Sequence, residues 1–264
     1  MYSRAQLTTD LRALGLSAGD VVMAHASVRA IGPVAGGPDE IHLAIKDVVT
    51  PSGALIMYAS CPRYVDEVGR GNLSRAEEAE ILEKLPPFDA ETARSSRENG
   101  ALVELFRTYP GSRVNHHPAR FVVWGEASDY LLAEQPWDFA FGLGSVFDRF
   151  VRRDGKILLL GSDHDNVTFL HYAEHIVDIP DKRITRFKVP VSENGVRVWR
   201  EMAEVDTSEG AHANWPPMFF AQLVDGYLST IGNHGGQVGD STSYLLPARG
   251  LLDYALPIMR AVAG

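Results

Sequence analysis

Leu7, Leu11 and Leu14 recur at three- to four-residue spacing behind Ser3, which can cap a helix, and Gly15 ends the pattern. The continuously apolar run Val21 to Ala24 then reads as a short buried strand. Turn residues at Gly32-Pro33 and Gly36-Gly37-Pro38 lead into a second periodic segment with Ile41, Ala44, Ile45 and Val48 on one face, and Gly53 to Tyr58 is the next strand. Strand, helix and strand at this spacing point to an α/β unit and away from an all-β sandwich.

From Arg63 to Asn99 the chain turns polar and charged, with a helical pattern over Arg75 to Lys84 and a loop at Leu85 to Asp89. A connection of this length in a compact domain marks either function or disorder. Ala101 to Tyr109 resumes helix, and Phe121 to Trp124 reads as strand. The almost purely apolar Lys156 to Leu160 should be central in its sheet. Asn166 to Val177 then reads as helix, Ile184 to Pro190 and Gly195 to Val205 as sheet, and Met218 to Thr230 and Leu246 to Ala261 as closing helices. With no repeat, low-complexity tract or linker, the pattern predicts one domain over residues 1–264.

Composition narrows the class without changing that picture. With 45% hydrophobic and 22% charged residues, the 264-residue chain is globular, not disordered or fibrous. Its 25 Lys and Arg against 34 Asp and Glu give a formal charge of −9, which argues against nucleic acid and favours a cationic partner. Cys61 is the only cysteine, so neither a disulfide framework nor a thiolate zinc site is expected, and a reducing cytoplasm is the natural setting. No signal-peptide apolar region and no run of 18 apolar residues is present, so no membrane span is expected.

Three segments carry candidate chemistry. His25-Ala26-Ser27-Val28, at a strand end and followed by Gly36 and Gly37, could hold an anion on loop and helix N–H groups, although neither Walker A nor G-x-G-x-x-G spacing is met. Taken alone, turn chemistry is the simpler reading of that string. In Gly161 to His175 a buried strand runs into a polar loop and a helix that places His171 and Glu174 three apart on one face. Such a carboxylate can fix the imidazole tautomer and stabilise its charged form, as a general base requires. The same residues also fit a helix cap at Asp165 or Asn166, a core histidine, or a solvent-facing pair of His171 and His175. A metal fits less well, because the zinc helix H-E-x-x-H has its glutamate directly after the first histidine, whereas Glu174 precedes the second. Asp206-Thr207-Ser208-Glu209-Gly210 reads either as a turn or as a carboxylate pair for a cation. His116-His117-Pro118 reads best as a turn and Cys61 as a small buried hydrophobe.

Read in order, several strings resemble the aminoglycoside 3-N-acetyltransferase family. They are Val22 to Gly32, Gly36-Gly37, Val48 to Gly53, Leu85 to Asp89, Arg113 with His117-Pro118, Asp154 to Gly161, Asn166 to Glu174, Asp206 to Gly210, Gly236 to Gly239 and Leu246 to Arg249. Departures are Ala26 where the family prefers serine, Val114-Asn115-His116 before the His-Pro, and Trp215-Pro216-Pro217 in the late acidic segment. The resemblance implies a three-layer α/β/α domain with a mixed central sheet, acetyl-coenzyme A as co-substrate without a metal, and transfer to the 3-amine of 2-deoxystreptamine antibiotics.

It further implies His171 as base with Glu174 as its orienting partner. His25, Ala26, Ser27, Val28, Gly36 and Gly37 would lie on the cofactor side, with His25 and Ser27 at the opposite strand end, near the thioester, where they or nearby N–H groups could steady the oxyanion, a catalytic role for His25. Asp163, Asp165, Asn166, Asp206 and Glu209 would meet substrate ammonium groups, with Tyr64 and Asp66 lining the cleft from the long loop. A polyamine sugar is a polycation at neutral pH, and an acidic cleft concentrates it. The same family acting on another amine, or a protein that sequesters cationic sugars without chemistry, are the alternatives; a metal-dependent hydrolase is a distant third.

Overall fold

The computed structural model describes residues 1–61, 68, 72–206 and 210–264. Tyr64, Asp66 and Glu209 lie outside the described residues.

In chain order the elements are α1 (Arg4–Ala13), β1 (Val21–Ala26), α2 (Val28–Ile31), α3 (Asp39–Val49), β2 (Ala54–Tyr58), α4 (Arg75–Lys84), α5 (Ala101–Thr108), β3 (Arg113–Val114), β4 (Phe121–Gly125) and α6 (Ser128–Leu131). They continue with α7 (Val146–Arg152), β5 (Lys156–Leu160), α8 (Leu170–Ile176), β6 (Ile184–Glu193), β7 (Val196–Val205), α9 (Phe219–Thr230), β8 (Gly236–Val238), β9 (Ser241–Pro247) and α10 (Ala248–Ala263). Seven strands form one sheet in the order β3-β4-β2-β1-β5-β9-β8. β1 is parallel to β2 and to β5, while β4 and β9 run antiparallel to their inner neighbours, so the sheet is mixed.

Successive strand side chains point to opposite faces, and the sequence fills both with apolar residues. Val21, Met23, Ala54, Ile56, Ile157 and Leu159 face a core completed by α7, α8, α9 and α10. Val22, Ala24, Leu55, Met57, Leu158 and Leu160 face a second core completed by Leu7 and Leu11 of α1, Ile41, Ile45 and Val48 of α3, and Phe106 of α5. The result is the expected three-layer α/β/α arrangement.

Several sequence expectations change. β6 and β7 leave the main sheet and pair with each other, register Ile184↔Val205 to Glu193↔Val196, while Phe88 adds a parallel bridge to Val191 of β6. The expected closing helix from Leu246 begins only at Ala248, because Leu246 pairs with Ile157 as part of β9. The helix expected over Asn166 to Val177 is broken: a 3-10 turn (His164–Asn166) comes first, Val167 departs from helical geometry at ψ 79°, and α8 starts at Leu170. Asp165 and Asn166 therefore do not cap α8; Oδ1 of Asp165 instead accepts from the Ala221 N–H, 3.2 Å away in the first turn of α9.

One buried cation holds the segment that leads to the site. The fully buried Arg120 donates to the carbonyls of Ala59, Ala90 and Ala93 at 2.6–3.0 Å, and to Ser95 Oγ at 3.4 Å. A guanidinium presents its donors in a fixed plane, so one side chain fastens the loop from Ala90 to Ser95 onto the end of β2.

Candidate active site

Because β1 and β5 are parallel, with Ala26 opposite Leu160, their carboxyl ends meet at one edge of the sheet. His25 and the loop after β5 are therefore neighbours, which corrects the expectation that His25 and Ser27 lie at an opposite strand end. Ser162 Oγ donates to the His25 carbonyl at 3.3 Å, and the Ser27 N–H to the Leu160 carbonyl at 2.9 Å. Gly161 makes the approach possible: at φ 60° a Cβ there would lie 2.7 Å from Ala30 Cβ and 2.8 Å from Ser241 Cβ.

A cavity of about 870 Å³ opens at this edge. His25, Ala26, Ser27 and Arg29 line it from β1 and α2, Asp163, Asp165, Asn166 and Thr168 from the loop after β5, and His171 from α8. Glu98, Asn99 and Gly100 close it from the segment before α5, and Phe187, Met202 and Glu204 from the β6–β7 hairpin. A second cavity of about 480 Å³ is lined by Gly210, Trp215 to Phe220 and Glu174, and shares Asp165 and His171 with the first. His171 thus stands where the two spaces meet.

Three-residue spacing on α8 does what the sequence suggested. His171 Nδ1 lies 2.6 Å from Glu174 Oε2, with the imidazole one-quarter exposed and the carboxylate 3% exposed. An ionised carboxylate only accepts, so Nδ1 carries the proton and Nε2 keeps its lone pair. Phe141 stacks on the imidazole, centroids 5.6 Å apart and planes 24° from parallel, and Phe220 meets it edge-on at 5.0 Å. The core-histidine and solvent-pair readings therefore give way to an oriented, cavity-lining imidazole.

His25 is of a different kind. It shares the strand face of Val21 and Met23, its Nε2 is buried without a hydrogen-bond partner among the described residues, and burial lowers its pKa to about 4. A neutral ring is left at the cavity floor. Ser27 Oγ accepts from the Ala30 N–H at 3.3 Å and retains its own proton to donate.

Other expected residues fall outside. Val28, Gly36 and Gly37 line neither cavity; Gly36 packs beside Glu40, whose Cγ a Cβ would approach to 2.9 Å. Asp206 lies past the end of β7, its N–H donating to the Arg183 carbonyl at 2.9 Å, and also lines neither cavity. His117 fits the turn reading, buried with Nδ1 accepting from the Ala119 N–H at 3.0 Å. Among the described residues no group of three or more His, Cys, Asp and Glu could hold a metal ion.

The structure adds residues the sequence did not single out. Arg29 and Glu98 sit on charged cavity walls, and Glu204 is gripped by His175 Nε2 at 2.7 Å and by the Ala140 N–H at 2.6 Å. Nothing in the local pattern separates Glu204 from the exposed Glu201 on the same strand.

A buried carboxylate–imidazole pair, opening on a large cavity with acidic walls at the carboxyl edge of a mixed sheet, is equipment for taking a proton from a cationic acceptor. A profile described as aminoglycoside 3-N-acetyltransferase matches residues 23–260. The chain is 36% identical over 259 residues to aminoglycoside N(3)-acetyltransferase III of Pseudomonas aeruginosa, covering 97% of this chain and 92% of that protein. The solved structure "AAC-IIIb binary with CoASH" superposes with a TM-score of 0.90 at 35% identity, over 99% of this chain and 97% of that one. "AAC-VIa bound to Sisomicin" does so with a TM-score of 0.90 at 32% identity, over 100% and 99%. The chain belongs to the aminoglycoside 3-N-acetyltransferase family.

Proposed function

We propose that the protein, acting as one domain, transfers the acetyl group of acetyl-coenzyme A to the 3-amine of the 2-deoxystreptamine ring of an aminoglycoside, giving resistance to the antibiotic. The observation that carries this reading, beside family membership, is the His171–Glu174 pair at the junction of the two cavities.

Glu98, Asp163 and Asp165 supply negative charge on the larger cavity's wall, against which a polyamine sugar is drawn and oriented. Asn166 offers an amide beside them. An ammonium has no lone pair, so the reacting nitrogen must first be deprotonated, and Nε2 of His171 is placed to take that proton. Glu174 then stabilises the imidazolium through Nδ1 without itself being protonated.

The cofactor side falls to the other end of the same cavity. Its volume admits an extended pantetheine arm, and Arg29 is the basic group on its wall, suited to a phosphate. Acetyl-coenzyme A supplies a thioester carbonyl open to attack by the neutral amine. Ser27 and the neutral His25 are donors at the cavity floor that can steady negative charge on that oxygen. Cys61 donates its Sγ–H to the Arg94 carbonyl at 2.7 Å and takes no part. The cytoplasm, where acetyl-coenzyme A is made, is the setting this chemistry calls for; among the described residues no helix is long and apolar enough to cross a membrane.

Mass spectrometry and NMR of a panel of aminoglycosides, incubated with protein and acetyl-coenzyme A, test the reading. One acetyl group on the 3-amine is expected. Acetylation mainly at a 6′ amine overturns the regiochemistry, and antibiotic binding without acetyl-coenzyme A consumption overturns catalysis.

A further inference from the structure

The side chain of His175, one turn beyond the base on α8, is 1% exposed and has both ring nitrogens engaged. Nδ1 lies 2.6 Å from the carbonyl oxygen of His171, and Nε2 lies 2.7 Å from Oε2 of Glu204. A carbonyl oxygen can only accept, so Nδ1 must carry a proton. Were that the ring's only proton and Glu204 ionised, two lone pairs would face each other across 2.7 Å. A second proton therefore sits in the contact. It belongs to the ring, because a carboxylate is ordinarily the weaker base by about two pKa units and this one is further held by the Ala140 N–H.

The surroundings agree. On α8 itself Glu174 is turned to His171. From the loop before α7, Phe139 and Phe141 present ring contacts at 6.3 and 5.7 Å, while Asp138 is occupied by the Ala203 N–H at 2.7 Å. Beyond α8, Lys182 Nζ donates to the His175 and Val177 carbonyls. Glu204 is the carboxylate that meets the His175 ring.

We propose that His175 is a positioning residue: as an imidazolium bridging the His171 carbonyl and the Glu204 carboxylate, it locks the helix that carries the base to the hairpin strand that walls the cavity. The strap reaches a third segment through Ala140, next to the Phe141 ring stacked on His171. It fixes where the base stands relative to the acceptor, and it cancels the charge of Glu204, so that this wall residue does not compete with the reacting site for an ammonium group. The kinetic consequence rests on the acetyl transfer proposed above; the charge assignment does not.

Two measurements test it. In ¹⁵N spectra of imidazole-labelled protein at neutral pH, without substrate, His175 should show both nitrogens protonated; a bare Nε2 overturns the charge assignment, whatever reaction the protein performs. In kinetics, His175→Leu and Glu204→Leu should each lower kcat about tenfold with the KM for acetyl-coenzyme A unchanged, and the double variant should be no worse than either single. Glu204→Gln, whose amide can donate to a neutral His175 and accept from Ala140, should recover kcat to within about threefold of wild type. Additive losses in the double variant, or no loss in folded single variants, overturn the positioning role. A rise of about tenfold or more in aminoglycoside KM in Glu204→Gln makes Glu204 a substrate ligand instead.

Discussion

Nδ1 of His171 lies 2.6 Å from Oε2 of Glu174, a carboxylate almost wholly sealed from solvent. This contact sets the tautomer, leaving Nε2 as the basic nitrogen. Removing the base acts on the transition state and not on cofactor contacts. His171→Ala should therefore lower kcat about 10²- to 10⁴-fold while leaving acetyl-coenzyme A affinity unchanged in calorimetry. Glu174→Gln keeps the shape, loses the charge that stabilises the imidazolium, and should cost less. A folded His171→Ala protein within a few-fold of the wild-type rate would move the search for the base to His25.

Substrate capture should depend on salt. The acids on the larger cavity's wall are partly open to solvent, and charges of that kind are screened beyond a Debye length of about 8 Å at physiological ionic strength. Aminoglycoside Kd, followed by calorimetry, should rise steadily from about 0.05 to about 0.5 M salt. A flat response would show that hydrogen bonding, not charge, holds the antibiotic.

Three histidines make the fold sensitive to acid. Burial, aided at His42 by Lys46, lowers the pKa of His25, His42 and His117 to about 4 from an ordinary 6.5. Between pH 6.5 and 4 the unfolded chain binds protons at these sites that the folded chain refuses, so stability is full above 6.5 and is lost as the pH falls. Urea unfolding across that window should show the loss, and His42→Gln should make it shallower. Equal slopes in the variant and wild type would clear His42 of any part in it.

Lys46 acts in the same direction in an alkaline window. Its ammonium sits over Phe106, Tyr109 and Trp124 at 4.7–5.3 Å with no hydrogen-bond partner among the described residues, and burial pushes its pKa down to about 8. The folded chain sheds this proton near pH 8 and the unfolded chain only near 10.5, so stability rises through that interval. Lys46→Met should abolish the rise. At neutral pH it should stabilise by about 1 kcal/mol, since the lost attraction to the rings offsets part of the relieved burial cost. A melting temperature lower than wild type at neutral pH would mean that the rings outweigh burial.

The local parts of this site were legible in the sequence, and the non-local parts were not. His171 and Glu174 are three residues apart on one helix, so spacing alone placed them together. The helix expected over Arg75 to Lys84 has those same bounds in α4, where Ser74 and Glu77 close a capping box by reciprocal bonds. By contrast, β9 opens with Ser241-Thr242-Ser243, where the buried hydroxyls of Ser241 and Ser243 satisfy one another at 3.0 Å, and no apolar run announces a strand. Glu204 and His175 are 29 residues apart, on different elements, and the buried pairing that defines their roles exists only once the hairpin has docked. Asp206, singled out for its acidic neighbourhood, lines neither cavity.

Arg120 fastens its loop chiefly by main-chain oxygens, those of Ala59, Ala90 and Ala93. An anchor of that kind is indifferent to side-chain identity at the positions it grips. The exposed positions of that loop, Glu91, Thr92 and Arg94, can therefore change without loosening the anchor, and the loop leads directly to Ser96, Glu98 and the cavity wall. Selection by a new antibiotic can work on such a loop one residue at a time, with the chemistry at His171 left undisturbed.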